Sequence, residues 1–413
     1  MCDENNNRDL PSFHFNEPNQ ESHDDQRPLA RYLRFLQRTN PVLEMKTMMM
    51  IESENGLDLP MAVAYLNPIN WMCEMQHDTT FGNHLVADQD IEAESTLGCE
   101  QPIVYVTYDQ DRCAECDRTL SGRLVRCDKH SHEEEAAACP LKFCSETCRD
   151  WAWTHYHKVQ NPKHLGFAYE GDRDHQCFLD TLFAIKVMAM MLVPEENQFA
   201  SKYIQSFLQN PHLLGLADKY AKSLIAGPGL ESLKLAAGHA YQGNAEEEAE
   251  LEALLAKLMA LRHVYAFGRT DYTVLYGPSC LINHSCEPNV TPTGLQGHDR
   301  PGLVGIRPYH TIQALRPIQK GEQLFMDYRE DSMKPRSTRK ANLLAQYGFE
   351  CQCQLCSDGT SRCDNEKCGK ANVPLKRCGK CKSAVYCSRE CQAKDWAHHK
   401  KFCGLMAASL KKD

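Results

Sequence analysis

Hydrophobic positions change their spacing along the chain in a way that separates strands from helices. From about Phe81, short apolar runs alternate with turn residues: Gly82-Asn83-His84-Leu85-Val86-Ala87, then Ile91, then Ile103-Val104-Tyr105-Val106. This spacing predicts short strands. Beyond residue 165 the runs lengthen. Residues 178–193 predict a buried helix, and 199–208, 213–225 and 230–241 are helix-length segments broken at Pro211 and at Gly227-Pro228-Gly229. The segment 245–264 opens on Glu246-Glu247-Glu248, which suits a helix N-terminus. It then sets Leu251, Leu254, Leu255, Leu258 and Leu261 in one helical stripe. Strand character returns at 264–268, 272–276, 303–306, 309–315 and 321–328. The expectation is an α+β chain in which a β-rich core is interrupted by a helical insert at 165–262.

Ahead of this pattern, residues 1–28 are polar and acidic and cannot bury enough apolar surface to order themselves. Some helical periodicity at 31–37 and an apolar run at 45–51 assign no firm state, so 1–75 is read as a polar N-terminal extension. Residues 1–28 also lack the apolar core of a secretory signal. The most apolar segment, 178–193, carries Asp180 and Lys186 and is too short to span a bilayer, so no membrane association is expected.

At 413 residues the chain can hold two to four modules, and 42% hydrophobic with 24% charged residues is ordinary for a soluble protein. A net charge of −9 argues against a dominant nucleic-acid footprint. The 22 cysteines change the picture most. Without a secretory signal they are hard to keep as disulfides, and their clustered spacing points to thiolate zinc ligands in a reducing compartment, nucleus and/or cytoplasm.

Three cysteine groups emerge. In 113–164, Cys113-x2-Cys116 and Cys144-x3-Cys148 suit one tetrahedral site. A second would need Cys127 and Cys139 with two of His130, His132, His155, His157 and His164. Cys351, Cys353 and Cys356 offer three thiolates and need a fourth ligand. Cys363, Cys368, Cys378, Cys381, Cys387, Cys391, His399 and Cys403 supply eight ligands for two interleaved ions, Cys363/Cys368/Cys387/Cys391 and Cys378/Cys381/His399/Cys403. So small a module has almost no core, and the metals would provide its folding energy. Cys2, Cys73, Cys99, Cys177 and Cys280 fall outside the groups and are read as buried or inert. The spacing is not that of a groove-reading zinc finger with a recognition helix.

One stretch organises the remainder: Asn283-His284-Ser285-Cys286-Glu287-Pro288-Asn289, read as an irregular loop because of its turn formers. It is followed by Gly321-Glu322 with Tyr328 six residues on, then by the CxCxxC of Cys351, Cys353 and Cys356. This ordered trio resembles the SET-domain lysine methyltransferases, and in particular their SET-and-MYND branch. The eight-ligand module, with Trp396 in place, resembles a MYND finger throughout. Gly82, Leu85, Ala87, Ile91, Glu94 and Pro102 fit the family's first strands.

The resemblance implies a β-rich SET fold with a knot-like C-terminal threading. The SET domain would be split over 76–335 around a degenerate MYND-like insertion at 113–164 and the helical insert at 165–262. A post-SET segment at 336–357 and a MYND finger at 360–403 would follow. It implies S-adenosyl-L-methionine and zinc as cofactors, and methyl transfer to a lysine of a histone or another protein. Tyr328 would be the catalytic tyrosine. Gly82, Asn83, His84, Asn283, His284, Tyr328 and Phe349 would line the cofactor, with Asn283 and His284 bonding it and Phe349 stacking on its adenine. Cys286 would complete the post-SET zinc site with Cys351, Cys353 and Cys356. MYND fingers bind proline-rich peptides. Two positions depart from the family pattern: His84 stands where a second glycine is expected, and Tyr265 or Ala266 stands near the place of an asparagine. The alternative is a catalytically inactive SET/MYND adaptor in transcription regulation.

Overall fold

The computed structural model describes residues 71–409 apart from 121–123, 131–138, 161–164, 166–174, 211–212, 218–244, 269–270, 295–309, 330–333, 358–361, 371–372 and a few single positions. The first strands form a hairpin, β1 (Cys73–Asp78) against β2 (Gly82–Ala87), in register from Cys73↔Ala87 to Asp78↔Gly82. Asp78 closes its turn, its Oδ1 accepting from the Thr80 and Phe81 N–H groups at 2.7 and 2.6 Å. Gly82 then takes φ +62, a left-handed conformation that suits glycine.

This hairpin corrects the expected N-terminal boundary. The strand starts at Cys73, inside the segment read as a polar extension. Trp71 is buried against Gly98, where an added Cβ would stand 2.3 Å from its ring. The apolar signal of β1 is only Cys73 and Met75 on its inward face, too short to recognise by alternation.

Two small antiparallel sheets have three strands each. β3 (Thr96–Glu100) is joined by β11 (His310–Ala314), which also pairs with β10 (Val290–Pro292). In the other, β8 (Tyr272–Leu275) lies between β4 (Val104–Thr107) and β7 (Phe267–Gly268). Of the expected strand over 264–268 only Phe267–Gly268 is strand, and residues 264–265 belong to the preceding helix, which runs to Tyr265. Tertiary packing overrides the strand preference of Val264 and Tyr265, because the Tyr265 ring meets Phe207 at 4.4 Å and its hydroxyl accepts from Asn210 at 3.1 Å.

The zinc insert contributes β5 (Val125–Arg126), β6 (Lys142–Phe143) and α1 (Glu146–His155), the helix capped by the Ser145 side chain accepting from Cys148 N. The helical insert supplies α2 (His175–Met191), α3 (Gln198–Leu208) and α4 (Ala245–Tyr265). The helix expected over 213–225 is described only at 213–217, and 230–241 lies outside the described residues, as do the stretches 31–37, 45–51 and 303–306. One core cluster runs through the zinc insert, these helices and β4/β8. A second unites Trp71, Leu85, Leu97, Ile282, Ile312, Leu324 and Met326. Lys186 of α2 pins the insert to the sheet: its buried Nζ donates to Tyr105 O at 2.9 Å and to Glu115 at 3.1 Å, and Tyr156 donates to the same carboxylate at 2.9 Å. A buried ammonium is tolerated only with partners of this kind.

The stretch 283–289 is not wholly irregular. Asn283–His284 (β9) pairs in parallel with Phe325–Met326 (β12), and only the following residues turn. The reading of 321–328 as one strand likewise shrinks to β12: Gly321 takes φ +82, residues 321–324 meet β2 through an isolated bridge from Gln323 to Val86, and side-chain bonds add to the backbone bonds there. Asn289, fully buried, makes those bonds. Its Oδ1 accepts from Phe325 N at 2.7 Å, its Nδ2 donates to Gln323 O at 2.8 Å and to Glu322 Oε1 at 3.2 Å, and its own backbone links to Phe325 O and Leu315 N. After β12 come α5 (Arg336–Tyr347) and α6 (Gln354–Ser357). The finger follows with β13 (Lys376–Arg377), β14 (Val385–Tyr386) and α7 (Arg389–Ser409).

Asn289→Ala would leave Phe325 N–H and Gln323 C=O without their partner in a dry setting, at a cost on the order of 3 kcal/mol. The expected outcome is a clear drop in Tm by calorimetry, and an unchanged Tm would refute the hub role. Glu322 adds a pH dependence. Despite partial burial, Arg316, the Gln319 N–H and Asn289 hold its carboxyl below its ordinary value. Its contribution is thus present above the unfolded carboxyl pKa and is lost as pH falls through the lower folded value. The Tm gap between wild type and Glu322→Gln should be largest at neutral pH and close on acidification.

Candidate active site and zinc centres

Tyr328, just beyond β12, is brought back against β9. Its hydroxyl donates to Ile282 O at 2.9 Å, and its backbone N–H donates to His284 Nδ1 at 3.1 Å. Since Nδ1 accepts, the imidazole proton sits on Nε2, which faces Cys286 Sγ at 3.4 Å. Both ring nitrogens of buried His284 are thus engaged within the protein. The imidazole brackets Tyr328 against Cys286. Burial first, then Tyr265, Tyr347 and Cys280 nearby, raise the Tyr328 phenol well above its ordinary value, so it stays a neutral hydrogen-bond donor.

Aromatic rings close the space around it. Tyr347 lies 5.0 Å from Tyr328, and Phe349 is 6.4 Å from it and perpendicular. Phe349 also lies 6.1 Å from His284, and the Tyr347 hydroxyl reaches Tyr328 O at 3.4 Å. Tyr347, Gly348 and Phe349 arrive at the C-terminal end of α5, where Gly348 takes the left-handed cap at φ +77. Tyr347, Tyr265 and Cys280 were not picked out as site residues. Tyr347 was marked only by its adjacency to Phe349, and Tyr265 only as a departure from the family pattern.

On the other side, Asn283 Nδ2 donates to Phe81 O at 3.0 Å, linking β9 to the β1–β2 turn, and Phe81 is 46% exposed. Around Gly82 nothing lies within 4 Å of where a Cβ would stand, so open space faces the start of β2. Asn83 points to the hairpin, accepting from His77 Nδ1 at 2.9 Å. His84 folds back on its own turn: Nδ1 donates to Gly82 O at 2.9 Å and Nε2 lies 3.8 Å from Asp78. Its ring is therefore held by the hairpin, with Phe81 at 6.1 Å.

Among the described residues, cysteines and histidines form five four-residue sets in which all ligand atoms lie within 4.8 Å of one another. Four are those expected: Cys113/Cys116/Cys144/Cys148, Cys286/Cys351/Cys353/Cys356, Cys363/Cys368/Cys387/Cys391 and Cys378/Cys381/His399/Cys403. The fifth joins Cys127 and Cys139 to His130 and His157; of the other histidines that spacing left open, His155 stands outside the set, and His132 and His164 lie outside the described residues. His157 Nδ1 bonds Gln160 Oε1 at 2.9 Å and so turns Nε2 toward Cys139 and His130, both at 3.3 Å.

Zinc fits these sets. Four sulfurs at ~2.3 Å from a tetrahedral ion stand ~3.8 Å apart. The Sγ separations are 3.7 Å for Cys144–Cys148, 3.6 Å for Cys286–Cys356, 3.7 Å for Cys368–Cys387 and 3.9 Å for Cys378–Cys403. The thiols also drive each other's protonation apart. Hydrogen bonds from Cys113 and Cys286 respectively pull Cys144 and Cys353 far down, while those with Cys113 and Cys351 push Cys148 and Cys286 up. A divalent cation removes that conflict by letting all four ionise.

Against this geometry, the SET domain family model matches residues 82–329 and the MYND finger model matches residues 363–403. The chain belongs to the SET-domain family, in its SET-and-MYND branch. The SET match takes in the zinc insert, the helical insert, Asn283, His284 and Tyr328. Among relatives, histone-lysine N-methyltransferase SMYD3 of Mus musculus is 24% identical over 289 residues, 67% of this chain and 59% of that protein. A SET and MYND domain-containing protein of Dictyostelium discoideum is 23% identical over 257 residues, 58% of this chain and 70% of its own. The SET-and-MYND chain thus spans 59% of the length of the mouse relative. Among solved structures, Rubisco LSMT bound to AdoMet aligns with 71% of this chain and 56% of its own at 16% identity and a TM-score of 0.33, a loose likeness.

Native mass spectrometry of the intact chain should show five zinc ions, one for each set. A folded, metal-free chain would sink the assignment.

Proposed function

We propose that this SET-and-MYND chain is an S-adenosyl-L-methionine-dependent protein-lysine N-methyltransferase. The observation that carries the reading is the Tyr328 hydroxyl, kept neutral and held at 2.9 Å on the Ile282 carbonyl one residue before Asn283. That puts a polarised hydroxyl and a carbonyl oxygen together in an aromatic enclosure of Tyr347, Phe349 and His284. Methyl transfer from a sulfonium to an amine is an in-line displacement, and it asks mainly for alignment and exclusion of water. The bound cofactor would supply the activated methyl group. Gly82, Asn283 and the backbone of His284 would hold it, Phe349 would flank its adenine, and Tyr328 with Ile282 O would orient the reacting centre.

The lysine must arrive neutral, although its ordinary pKa is ~10.4. An apolar channel beside Tyr328 and Tyr347 would favour loss of that proton by desolvation, and a neighbouring sulfonium would add to it. The substrate is a lysine of a histone tail or another protein. The MYND finger would recruit proline-rich peptide partners, and the thiolate-rich chain would work in a reducing compartment, nucleus and/or cytoplasm. No described helix is long and apolar enough to cross a membrane. The reading as an inactive adaptor draws on His84, yet its ring is tied to Gly82 O and Asp78 in the hairpin.

Calorimetric titration of the zinc-loaded chain with S-adenosyl-L-methionine tests the proposal. Saturable micromolar binding is expected, and Tyr328→Phe should keep that binding while turnover falls on the order of a hundredfold. A well-folded chain that does not bind the cofactor would instead establish the adaptor.

A further inference from the structure

Arg339, in the first turns of α5, is buried, and its guanidinium is spent on the Cys286/Cys351/Cys353/Cys356 set. Nε donates to Cys286 Sγ at 3.2 Å and Nη2 lies 3.5 Å from Cys356 Sγ. The other contacts are to backbone carbonyls: Nη1 to Lys334 O at 2.6 Å and Nη2 to Leu355 O at 3.1 Å. Each of the three guanidinium nitrogens is therefore engaged, and the residue is 7% exposed.

Four thiolates on one divalent zinc make a doubly negative centre, and burying such a charge is costly unless it is compensated. N–H donors on the sulfurs draw off lone-pair density and make the thiolates poorer bases and nucleophiles. Protons and electrophiles attack a zinc thiolate through those same lone pairs. Cys286 is bracketed from both sides, by Arg339 Nε and by His284 Nε2, and His284 in turn accepts from Tyr328 N.

We propose that Arg339 is a positioning residue of the site: it compensates the four-thiolate zinc centre and thereby holds Cys286, and with it the His284–Tyr328 bracket, against α5. The proposal rests on reading this set as a zinc site. Arg336 provides the internal comparison. It lies one turn earlier on the same helix and its Nε donates to Cys356 O at 2.6 Å, a carbonyl of the same segment and not a sulfur. Helix packing alone predicts similar damage from losing either arginine. Charge compensation predicts damage from losing Arg339 only.

The test uses the full zinc-loaded chain under a chelator with a maleimide, with peptide mass spectrometry to follow labelling of each cysteine. In Arg339→Met and Arg339→Gln, Cys286, Cys351, Cys353 and Cys356 should label about 10- to 100-fold faster than in wild type, the range typical of lost outer-sphere partners of a metal. Cys378, Cys381 and Cys403 of the finger should keep their wild-type rates, which reports that the fold is intact. Arg339→Lys should recover much of the protection, and Arg336→Met should label near the wild-type rate. Wild-type labelling in folded Arg339→Gln, or equal acceleration in Arg336→Met, overturns the proposal. A wild-type chain with no zinc protection at these four cysteines overturns the zinc reading itself, and the proposal with it.

Discussion

The constraint on which the site depends is the closure of Cys286 onto Cys351, Cys353 and Cys356. Cys286 lies 70 positions before Cys356, yet their sulfurs stand 3.6 Å apart. Tyr328, Tyr347 and Phe349 lie within this closed loop, and Ile282 and His284, which Tyr328 bonds, stand just before it. Cys286 leads through His284 to the Tyr328 backbone, and Cys351 follows directly on the segment carrying Tyr347 and Phe349. Closing a long loop has an entropic cost that grows only slowly with length, and a metal bond offsets it easily. Protein packing there is thin, since the local cluster besides the cysteines is Leu343 and Tyr347 with a few partly buried neighbours. The metal replaces a core that the chain does not build at this point.

Helix α5 extends that constraint to the finger. Its Arg339 faces the thiolates, while Ala341 sits in the cluster of Cys363, Cys378, Cys381, Tyr386 and Cys403. Ser337 N also reaches Asp364 Oδ1 at 3.5 Å, and the other Asp364 oxygen accepts from Val385 N at 2.7 Å. Burial raises the Asp364 carboxyl even though these N–H groups pull it down, as expected for an acid that serves as a structural acceptor. The finger and the post-SET centre therefore share one helix. A peptide bound on the finger would act on an element that also carries Tyr347.

Much of this was readable in the chain because it rests on side-chain chemistry at fixed spacing. Thiolate and imidazole ligands need particular intervals, so three of the five sets could be written down from spacing, Cys286 joined Cys351, Cys353 and Cys356 through the family resemblance, and the helical stripe from Leu251 to Leu261 announced α4. What stayed hidden depends on contacts between distant positions. His130 and His157 stand among five histidines of similar spacing, and only the turn held by Gln160 aims one of them. Arg339 looks like any basic residue on an exposed helix until Cys286 is placed beside it. The first strand carried too few apolar residues to separate Cys73–Asp78 from the polar segment before it. Residues 283–284 read as a loop because Pro288 and Asn289 are turn formers, while the pairing that makes them a strand comes from residues 325–326.

The two departures from the family pattern can be judged by the same physical standard. A histidine in place of glycine on a strand edge is harmful when its ring has no partner and must occupy the neighbouring space. Here the His84 ring has a donor bond to Gly82 O and a carboxylate at 3.8 Å, both supplied by its own hairpin, and the space facing Gly82 stays open. Tyr265, near the place of an asparagine, ends α4 with its ring on Phe207 and its hydroxyl bonded to Asn210 of the helical insert. Each substituted residue is satisfied by an element next to it, and neither withdraws a partner from Asn283, His284 or Tyr328. Residues placed to repair a change locally leave the central bonds intact, and it is those bonds, from Asn289 through Cys286 to Tyr328, that a functioning site requires.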